Sequence, residues 1–370
     1  MQNAPPLLLD VFHTFDPGGA QTRFVSLANH FGRALRHIVV AMDGRNGMAA
    51  ELKPDLDIVF RNVAVLKGQT LANSKAFRSL LRELRPDILV THNWGTIEWA
   101  MANWPRLVRH IHFEDGFGPD ETDRQFPRRV WARRLLLRRS TVIVPSRNLQ
   151  RIAREIWRLP ESAVRYIPNG IDCARFAAAP DPALMRKWSG DGPIIGTVAA
   201  LRGEKNTERL IRAFGMAARD TPCRLVIVGD GAERPRLEKL MAELGLSARV
   251  TFTGTIAGTE RVYGGFDIFA LTSDTEQMPY TVLEAMAASR PVVATDVGDI
   301  RHMVAPENLP YLVARDDAAV AEALRLMVAD GNLRSAVGQA NRDKVVADYD
   351  QSRMFAAFAQ AFGIECMRAK

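Results

Sequence analysis

The 370-residue sequence contains little cysteine and no long apolar run. Its three cysteines, at positions 173, 223 and 366, lack a metal-ligand spacing, so they predict neither a zinc site nor a disulfide framework. No stretch reaches the roughly 20 apolar residues that a membrane-spanning helix needs. The first residues carry no positive charge ahead of the apolar stretch 7–9, which is typical of a first strand and not of a signal peptide. We therefore expect a protein of a reducing, cytoplasmic compartment.

Positive charge is in excess, at +7 overall, and it is concentrated in one segment. Between Asp123 and Arg139 the chain has seven arginines and a single acid, interleaved with apolar residues such as Trp131 and Leu135. A solvated helix face, a nucleic-acid site and an anionic membrane surface are all compatible with such a segment. Nucleic acid is the least favoured, because base stacking needs more aromatic residues than Trp131 alone. The hypothesis kept is an amphipathic helix on an anionic membrane, with Arg128–Arg139 as its contact.

Short β-rich apolar runs alternate with helical patterns along the whole chain, which predicts an α/β protein with two doubly wound, Rossmann-like domains. The Ala- and Pro-rich stretch 177–182 has no periodicity and indicates a nearby domain boundary. We expect one domain over 1–172, a second over 173–348 and a terminal helix within 349–370. The predicted strands are 7–12, 37–42, 87–91, 109–112, 141–145 and 164–167, then 194–198, 224–228, 250–253, 268–271 and 292–295. The predicted helices include 20–31, 74–84, 206–217, 236–244, 280–288, 318–330 and 350–362.

The strongest local motif lies between Glu276 and Glu284, after the predicted strand 268–271. Pro279 can open a helix there, and the N–H groups at the start of that helix could bind a diphosphate. Arg202 and Lys205 follow the strand 194–198 and could bind phosphate oxygens. Taken alone, each pattern is equally compatible with an ordinary capped helix or a solvated basic loop.

Two motifs of the first half also lie where a strand ends. The pair Gly18-Gly19 would let the backbone approach a ligand, although a simple tight turn also fits. His112, Glu114 and Asp115 share one loop and carry groups that could exchange protons with a ligand. In the second half, the stretch 229–234 imitates a dinucleotide-binding fingerprint but has Arg234 in place of the third glycine.

Together, these motifs resemble the retaining GT-B glycosyltransferases of family 4 over nearly the whole chain. The matching pieces, in order, are Gly18-Gly19, the His112 loop, Ile167-Pro-Asn-Gly-Ile-Asp172, Arg202 with Lys205, Val228-Gly-Asp-Gly231, Phe252-Thr-Gly254, Ser273, the pair Glu276 and Glu284, Glu284-Ala-Met-Ala287 and Pro291-Val-Val-Ala-Thr-Asp296. The resemblance implies a GT-B fold of two facing domains, with a C-terminal helix that crosses back to the first. It implies transfer of a sugar from a UDP- or GDP-sugar to a saccharide or lipid-linked saccharide, in polysaccharide or glycolipid biosynthesis and without a metal or other cofactor.

The resemblance also implies roles for individual side chains. Arg202 and Lys205 would neutralise the donor diphosphate as the leaving group departs. Glu284 would bind the ribose hydroxyls, Glu276 the hydroxyls of the transferred sugar, and His112 would touch that sugar. With Arg202, Lys205 and Glu276, His112 completes the expected catalytic set.

Backbone groups would contact the rest of the donor. By the resemblance, Gly254, Thr255 and Ile256 would lie against the base, and the N–H groups of Tyr280 and Thr281 would bind the β-phosphate.

The acceptor side is less defined by the resemblance. Gly19 would approach the phosphate or, with Gly18, make room for the acceptor, and Glu114 and Asp115 could bind acceptor hydroxyls. One departure stands out, because the family usually has glycine directly after the first glutamate of the pair and this chain has Gln277.

Two other functions fit the same fold. A nucleotide-sugar epimerase would need acids and a histidine around the donor alone, and a silent binding partner would not need the complete set of Arg202, Lys205, Glu276 and Glu284. The sugar, the base, the acceptor and the linkage do not follow from the sequence. If the basic segment binds a membrane, the location would be peripheral, on the cytoplasmic face of the inner membrane.

Overall fold

The computed structural model describes residues 4–117, 121, 124–188, 190–219 and 221–364. The chain forms two compact units: unit 1 comprises Met1–Pro168 and Met354–Lys370, and unit 2 comprises Asn169–Arg353. Asp123 of the basic segment, Cys366 and the end of the expected terminal region 349–370 lie outside the described residues. No helix in the described part of the chain is long and apolar enough to cross a membrane.

Unit 1 is built on a parallel sheet of seven strands in the order β3-β2-β1-β4-β5-β6-β7. The strands are β1 (Leu7–Phe12), β2 (Arg36–Ala41), β3 (Ile58–Phe60), β4 (Ile88–His92), β5 (Arg109–Phe113), β6 (Thr141–Val144) and β7 (Val164–Tyr166). The helices are α1 (Gly19–Phe31), α2 (Thr70–Leu84), α3 (Ile97–Ala102), α4 (Pro127–Leu136) and α5 (Arg147–Glu155). The central strands are buried along almost their whole length, as expected when helices cover both faces of a parallel sheet.

Unit 2 contains a parallel sheet of six strands in the order β10-β9-β8-β11-β12-β13. Its strands are β8 (Ile194–Val198), β9 (Arg224–Val228), β10 (Val250–Gly254), β11 (Ile268–Leu271), β12 (Val292–Thr295) and β13 (Leu312–Val313). Its helices are α6 (Pro182–Trp188), α7 (Thr207–Ala217), α8 (Arg234–Glu243), α9 (Glu260–Tyr263), α10 (Tyr280–Ala287), α11 (Ile300–Met303), α12 (Asp317–Ala329) and α13 (Gly331–Tyr349). The order of strands reverses direction between β8 and β11, and this is the point where doubly wound sheets bind ligands.

The last helix, α14 (Gln351–Phe362), buries an apolar face in unit 1. Met354, Phe355, Phe358 and Phe362 pack into the same apolar cluster as strands β1, β4 and β5. Arg109 binds the carbonyl oxygens at the end of this helix, which satisfies groups that a helix leaves without internal partners.

The stretch 177–182 lies in unit 2, which begins shortly before it at Asn169. Phe176, which precedes the stretch, is buried and makes an edge contact with the ring of Tyr263. The expected domain bounds 1–172 and 173–348 stay a prediction.

Candidate functional site

In unit 2, two loops meet at the point where the strand order reverses. One follows β8 and carries Arg202 and Lys205, and the other follows β11 and carries Glu276. Because β8 and β11 are paired in parallel, their carboxyl ends lie side by side. The structure therefore brings Lys205 into contact with Glu276, which lies 71 residues further along the chain, and Arg202 lies on the same loop as Lys205.

Glu276 has two hydrogen-bond donors on the same oxygen. Lys205 donates from Nζ over 2.6 Å and Ser273 donates from Oγ over 2.7 Å, both to Oε1 of Glu276. Only 9% of the Glu276 side chain is exposed, so the carboxylate is held in one orientation. Ser273 appeared in the sequence only as part of the family pattern, and its contact with Glu276 follows from their spacing of three residues across the loop.

Arg202 is much more exposed than Lys205. Its side chain is 62% accessible and pairs with Glu204, with Nε lying 3.1 Å from Oε1. Behind it, Asn206 takes a left-handed φ of 43° and caps α7 by accepting a hydrogen bond from the N–H of Arg209. A cavity of about 200 Å³ opens beside this loop, lined by Arg202, Gly203, Asn206, Thr207, Glu208, Glu233, Arg236 and Leu237.

Glu284 lies one turn inside α10 and is half-buried. Burial raises its pKa to about 7, although a hydrogen bond from Tyr263 acts in the opposite direction. The Tyr263 hydroxyl lies 2.5 Å from Oε2 of Glu284. Sequence reasoning did not find Tyr263, because no local pattern links residues 21 positions apart on different helices.

The start of α10 offers backbone donors. Pro279 is the N-cap and has no polar side chain with which to cap the helix. Tyr280 and Thr281 are the first two residues of α10, and the N-terminal end of a helix can attract an anion.

The loop before α10 has no need of glycine after Glu276. Gln277 takes a negative φ, which any residue can adopt. The loop that follows β12 packs against the loop before α10 and contains Gly298, which has a φ of +60°. A Cβ atom at Gly298 would lie 2.3 Å from the carbonyl oxygen of Glu276, so the two loops approach too closely for a side chain.

The expected base-contacting segment lies at the end of β10. Gly254 has a φ of +72°, and its carbonyl oxygen accepts a hydrogen bond from the N–H of Gly229. Thr255 is exposed and Ile256 is half-buried against the apolar core of unit 2. Asp230, which follows Gly229, pairs with an arginine of α8 next to Gly254.

In unit 1, His112 lies inside a chain of buried polar contacts. Its Nδ1 is 2.8 Å from Oγ1 of Thr91, and the same hydroxyl is 2.8 Å from Nε2 of His110. Nδ1 of His110 is 2.7 Å from Oγ of Ser140. Burial, with smaller effects from the charges of His112 and Arg106, lowers the pKa of His110 to about 3, so this ring is neutral.

Glu114 is buried beside two basic side chains, those of His112 and Arg133. Nε2 of His112 lies 3.5 Å from Oε2 of Glu114, and Arg133 donates from Nε to the same oxygen over 3.0 Å. Burial raises the pKa of Glu114, but Arg133 and His112 outweigh burial and hold that pKa below its usual value. An ionised carboxylate only accepts, so Glu114 accepts from the buried guanidinium of Arg133.

This burial bears on two expectations for unit 1. His112 is 0% exposed within the described residues. A buried ring does not reach a sugar in this arrangement, so the contact of His112 with the transferred sugar stays a prediction. Glu114 is also 0% exposed and is paired with Arg133, so its binding of acceptor hydroxyls likewise stays a prediction. Asp115 is tied to Arg23 through both guanidinium nitrogens.

Gly18 and Gly19 are exposed at the start of α1. Gly18 has an extended backbone, with φ at −176°, which other residues adopt equally well. A Cβ atom at Gly18 would lie 2.7 Å from Oε1 of Gln21, so the absence of a side chain there accommodates Gln21.

The basic segment does not form a single solvated face. Arg133 is fully buried, where it pairs with Glu114 and Glu121, and Arg129 is largely buried against Glu121. Arg133 is therefore not available to a membrane surface, which corrects that part of the predicted contact Arg128–Arg139. The exposed remainder, called here the α4 patch, consists of Arg128, Trp131, Leu135, Arg138 and Arg139.

Within the described residues, no group of three or more His, Cys, Asp or Glu side chains could hold a metal ion. Arg202 and Lys205 place positive charge on the loop that follows β8.

Comparison with known proteins matches each half of the chain to a glycosyltransferase family. Residues 17–175 match Glycosyltransferase Family 4, and residues 185–344 match Glycosyl transferases group 1. Together the two matches span most of the chain. The chain belongs to the GT-B glycosyltransferases of the family 4 type. Its two parallel sheets and their alternating helices are those of a two-domain GT-B fold, as predicted.

Individual relatives agree with this assignment. A GDP-mannose-dependent alpha-mannosyltransferase of Mycolicibacterium smegmatis is 35% identical over 59% of this chain and 56% of its own length. The lipopolysaccharide core biosynthesis glycosyltransferase LpsE of Rhizobium meliloti is 27% identical over 94% of this chain and 97% of its own length. The match thus spans about half of the first relative and almost all of the second.

Solved structures show the same fold. Anabaena HepE in complex with UDP and glucose has a TM-score of 0.82 at 17% identity, over 97% of this chain and 99% of its own. A glycosyltransferase from Rickettsia africae has a TM-score of 0.80 at 16% identity, over 97% of this chain and 98% of its own.

Proposed function

We propose that this protein transfers a sugar from a nucleoside diphosphate-sugar to a saccharide or lipid-linked saccharide, with retention of the anomeric configuration. The observation that carries the proposal is the contact between Lys205 and Glu276 where the strand order of unit 2 reverses, with Arg202 on the same loop as Lys205. Glu284 and the start of α10 follow directly in the same loop and helix. The cationic loop and the helix N-terminus suit a diphosphate, and the two carboxylates suit the hydroxyls of a ribose and of a sugar.

In the proposed complex, each group of unit 2 has one task. Arg202 and Lys205, with the N–H groups of Tyr280 and Thr281, stabilise the charge that grows on the departing diphosphate. Glu284 accepts the ribose hydroxyls, and Glu276 accepts hydroxyls of the transferred sugar.

The proposed chemical step needs no side chain as a base. The bond between the anomeric carbon and the β-phosphate oxygen breaks, and the acceptor oxygen bonds to the same face of that carbon. The acceptor proton passes to the departing phosphate oxygen. The residues of this chain contribute by orienting the donor and by stabilising the charge of the leaving group.

Among donors, GDP- and UDP-sugars are both compatible with the site. The relatives named above favour GDP-mannose, since one is described as dependent on it, while the structural neighbour HepE binds UDP and glucose. The proposed acceptor is a saccharide of a glycolipid or lipopolysaccharide, in keeping with the description of LpsE.

Thermal shift with UDP, GDP, ADP and their common sugar conjugates tests the donor site. A ligand at 100 times its dissociation constant stabilises the folded protein by about 2.7 kcal/mol. We expect one nucleotide class to raise the melting temperature, and Glu284→Ala and Arg202→Ala to abolish that rise. Arg325→Ala is the matched control, because Arg325 is also an exposed arginine paired with a nearby glutamate. A folded protein that responds to no nucleotide would instead favour a silent binding partner.

The stereochemistry needs its own experiment. Proton NMR of the product, formed from an α-linked donor, should show an α linkage. A β linkage would refute retention while leaving the donor site intact, and an altered sugar without transfer would identify an epimerase.

We further propose that the α4 patch binds an anionic membrane surface from the cytoplasmic side. Trp131 and Leu135 are 57% and 62% exposed, which is unusual for large apolar side chains. Arg128 lies on the same helix, and Arg138 and Arg139 follow its end. Each arginine could contribute roughly 1 kcal/mol near an anionic lipid surface.

Vesicle sedimentation tests this proposal. Wild type should bind vesicles that contain phosphatidylglycerol but not neutral ones, and Arg128→Gln/Arg138→Gln/Arg139→Gln should lose this binding. The control variant Arg212→Gln/Arg236→Gln/Arg325→Gln removes the same charge elsewhere. Equal binding by both variants would refute the patch, and binding to duplex DNA in preference to vesicles would revive the nucleic-acid alternative.

A further inference from the structure

The carboxylate of Glu284 has a fixed neighbour inside unit 2. The phenol of Tyr263, at the end of α9, donates its O–H to Oε2 of Glu284 over 2.5 Å. The Tyr263 side chain is fully buried and its ring contacts those of Phe176, Phe266 and Phe269. This packing holds the phenol in one position, so the hydrogen bond sets the rotation of the carboxylate.

We infer that Tyr263 is a positioning residue of the nucleotide site, which holds Oε2 of Glu284 so that Oε1 is presented to the ribose hydroxyls. The inference rests on the proposed function, in which Glu284 accepts those hydroxyls. Tyr263 cannot touch the ribose itself, because it is fully buried. A carboxylate has about four acceptor positions, so one bond from the phenol leaves capacity for both hydroxyls.

The phenol also favours the ionised form of Glu284. Burial, followed by the charge of Glu284, raises the pKa of Tyr263 well above its usual value, so the phenol keeps its proton and acts as a donor. A hydrogen bond donated to the charged form of an acid lowers the pKa of that acid. The pKa of Glu284, which burial raises to about 7, should therefore rise further when the phenol is removed.

The other charged groups near Glu284 have partners of their own. Arg175 lowers the pKa of Glu284 and Glu260 raises it, and these two side chains are paired with each other over 3.0 Å. Arg342, from the adjacent α13, is bound to backbone carbonyl oxygens. A change in the pH profile can therefore be assigned to Tyr263.

Tyr263→Phe keeps the ring and removes the hydroxyl. Calorimetry would give the dissociation constants of GDP and UDP at pH 6.5 and 8.5 for wild type, Tyr263→Phe and Glu284→Gln. If the pKa of Glu284 rises from about 7 by about one unit, its ionised fraction falls about eightfold at pH 6.5 and less than about twofold at pH 8.5. The dissociation constants for Tyr263→Phe should exceed those of wild type by these factors, so the loss of affinity is large at pH 6.5 and small at pH 8.5. Glu284→Gln has no carboxylate to ionise, so its loss of affinity relative to wild type should not shrink at pH 8.5.

Two controls separate positioning from packing. Tyr349→Phe removes another buried tyrosine hydroxyl of unit 2, which donates to the carbonyl oxygen of His302, and it should leave binding unchanged. The analogue 2′,3′-dideoxy-GDP lacks the ribose hydroxyls, so its binding should not respond to Tyr263→Phe.

Each outcome decides the inference. If wild type binds neither GDP nor UDP, the proposed function fails and the inference fails with it. If Glu284→Gln weakens binding but Tyr263→Phe behaves like Tyr349→Phe, or weakens binding equally at both pH values, the inference alone is overturned. If Tyr263→Phe does not fold, the five tyrosines can be replaced by 3-fluorotyrosine, a more acidic and stronger donor. The binding profile should then shift to lower pH, and an unchanged profile would overturn the inference.

Discussion

Arg133→Met should strongly destabilise unit 1. The guanidinium is fully buried, and it pairs with Glu114 over 3.0 Å and with Glu121 over 3.4 Å. Both carboxylates are also buried. Methionine fills a similar volume but leaves two buried negative charges without this partner. Removing one partner of a buried ion pair costs about 3–5 kcal/mol, so we expect a loss of at least about 3 kcal/mol.

Urea unfolding followed by tryptophan fluorescence measures this loss. Five of the six tryptophans lie in unit 1, so the signal reports mainly on that unit. Arg128→Met is the matched control, because Arg128 is an exposed arginine of the same helix. A difference from this control below about 1 kcal/mol, the range of an exposed ion pair, would refute the reasoning.

The pH dependence provides a second check on the same variant. In wild type the pKa of Glu114 is depressed, so its contribution to stability is present above the unfolded-state pKa and is lost as the pH falls through the folded-state pKa. Without Arg133, burial should raise that pKa above the unfolded-state value. Glu114 would then take up a proton in the folded state as the pH falls towards 5, and the deficit of Arg133→Met should shrink. Adding Glu114→Gln should recover part of the stability at pH 7, and a deficit independent of pH and of Glu114 would contradict this account.

Three further substitutions test the loops of unit 2. Gly298→Ala should lower activity and destabilise the protein by about 1–3 kcal/mol, because the φ of Gly298 is +60° and a Cβ atom there would lie 2.3 Å from the carbonyl oxygen of Glu276. Chemical denaturation would measure the loss of stability, and a transfer assay the loss of activity. Asn169→Ala should reduce transfer more than global stability, because its side chain donates to the carbonyl oxygen of Met278 over 3.0 Å and so anchors the loop after Glu276. Lys205→Met should weaken GDP or UDP binding at least about tenfold, equivalent to about 1.4 kcal/mol by calorimetry, and unchanged binding would exclude Lys205 from the diphosphate site.

The strands that are buried on both faces were the most predictable elements. Strands β1, β8, β9, β11 and β12 have the bounds that their apolar runs predict, because burial requires an uninterrupted run of apolar residues. Strands β3 and β13 have three and two residues and were missed, since so short a run carries no periodicity. Helix α13 was also missed, because only a few of its 19 residues are buried and its apolar stripe is weak.

The site was predictable where topology alone determines it. Loops after adjacent parallel strands must meet, so the proximity of Lys205 and Glu276 follows once β8 and β11 are recognised as neighbours. The partners of Arg133 could not be read in this way, because they depend on which side of α4 faces the sheet. One signal was available: Arg129 and Arg133 are four residues apart and therefore lie on the same side of the helix.

The contact between Lys205 and Glu276 predicts that one substitution, Glu276→Gln, affects nucleotide binding and sugar transfer in opposite directions. Glu276 uses its Oε1 to hold Lys205 at 2.6 Å, and that contact competes with any phosphate for the same ammonium group. Glu276→Gln removes the negative charge and releases Lys205, so GDP or UDP should bind at least as tightly as to wild type. The corresponding GDP- or UDP-sugar should gain nothing from its sugar, and transfer should fall sharply, because the proposed acceptor of the sugar hydroxyls has lost its charge. Calorimetry with the nucleotide and its sugar conjugate, side by side, measures both effects. The substitution could instead weaken the binding of the nucleotide and of its sugar conjugate by the same factor. That result would mean that Glu276 supports the diphosphate site as a whole and does not recognise the sugar.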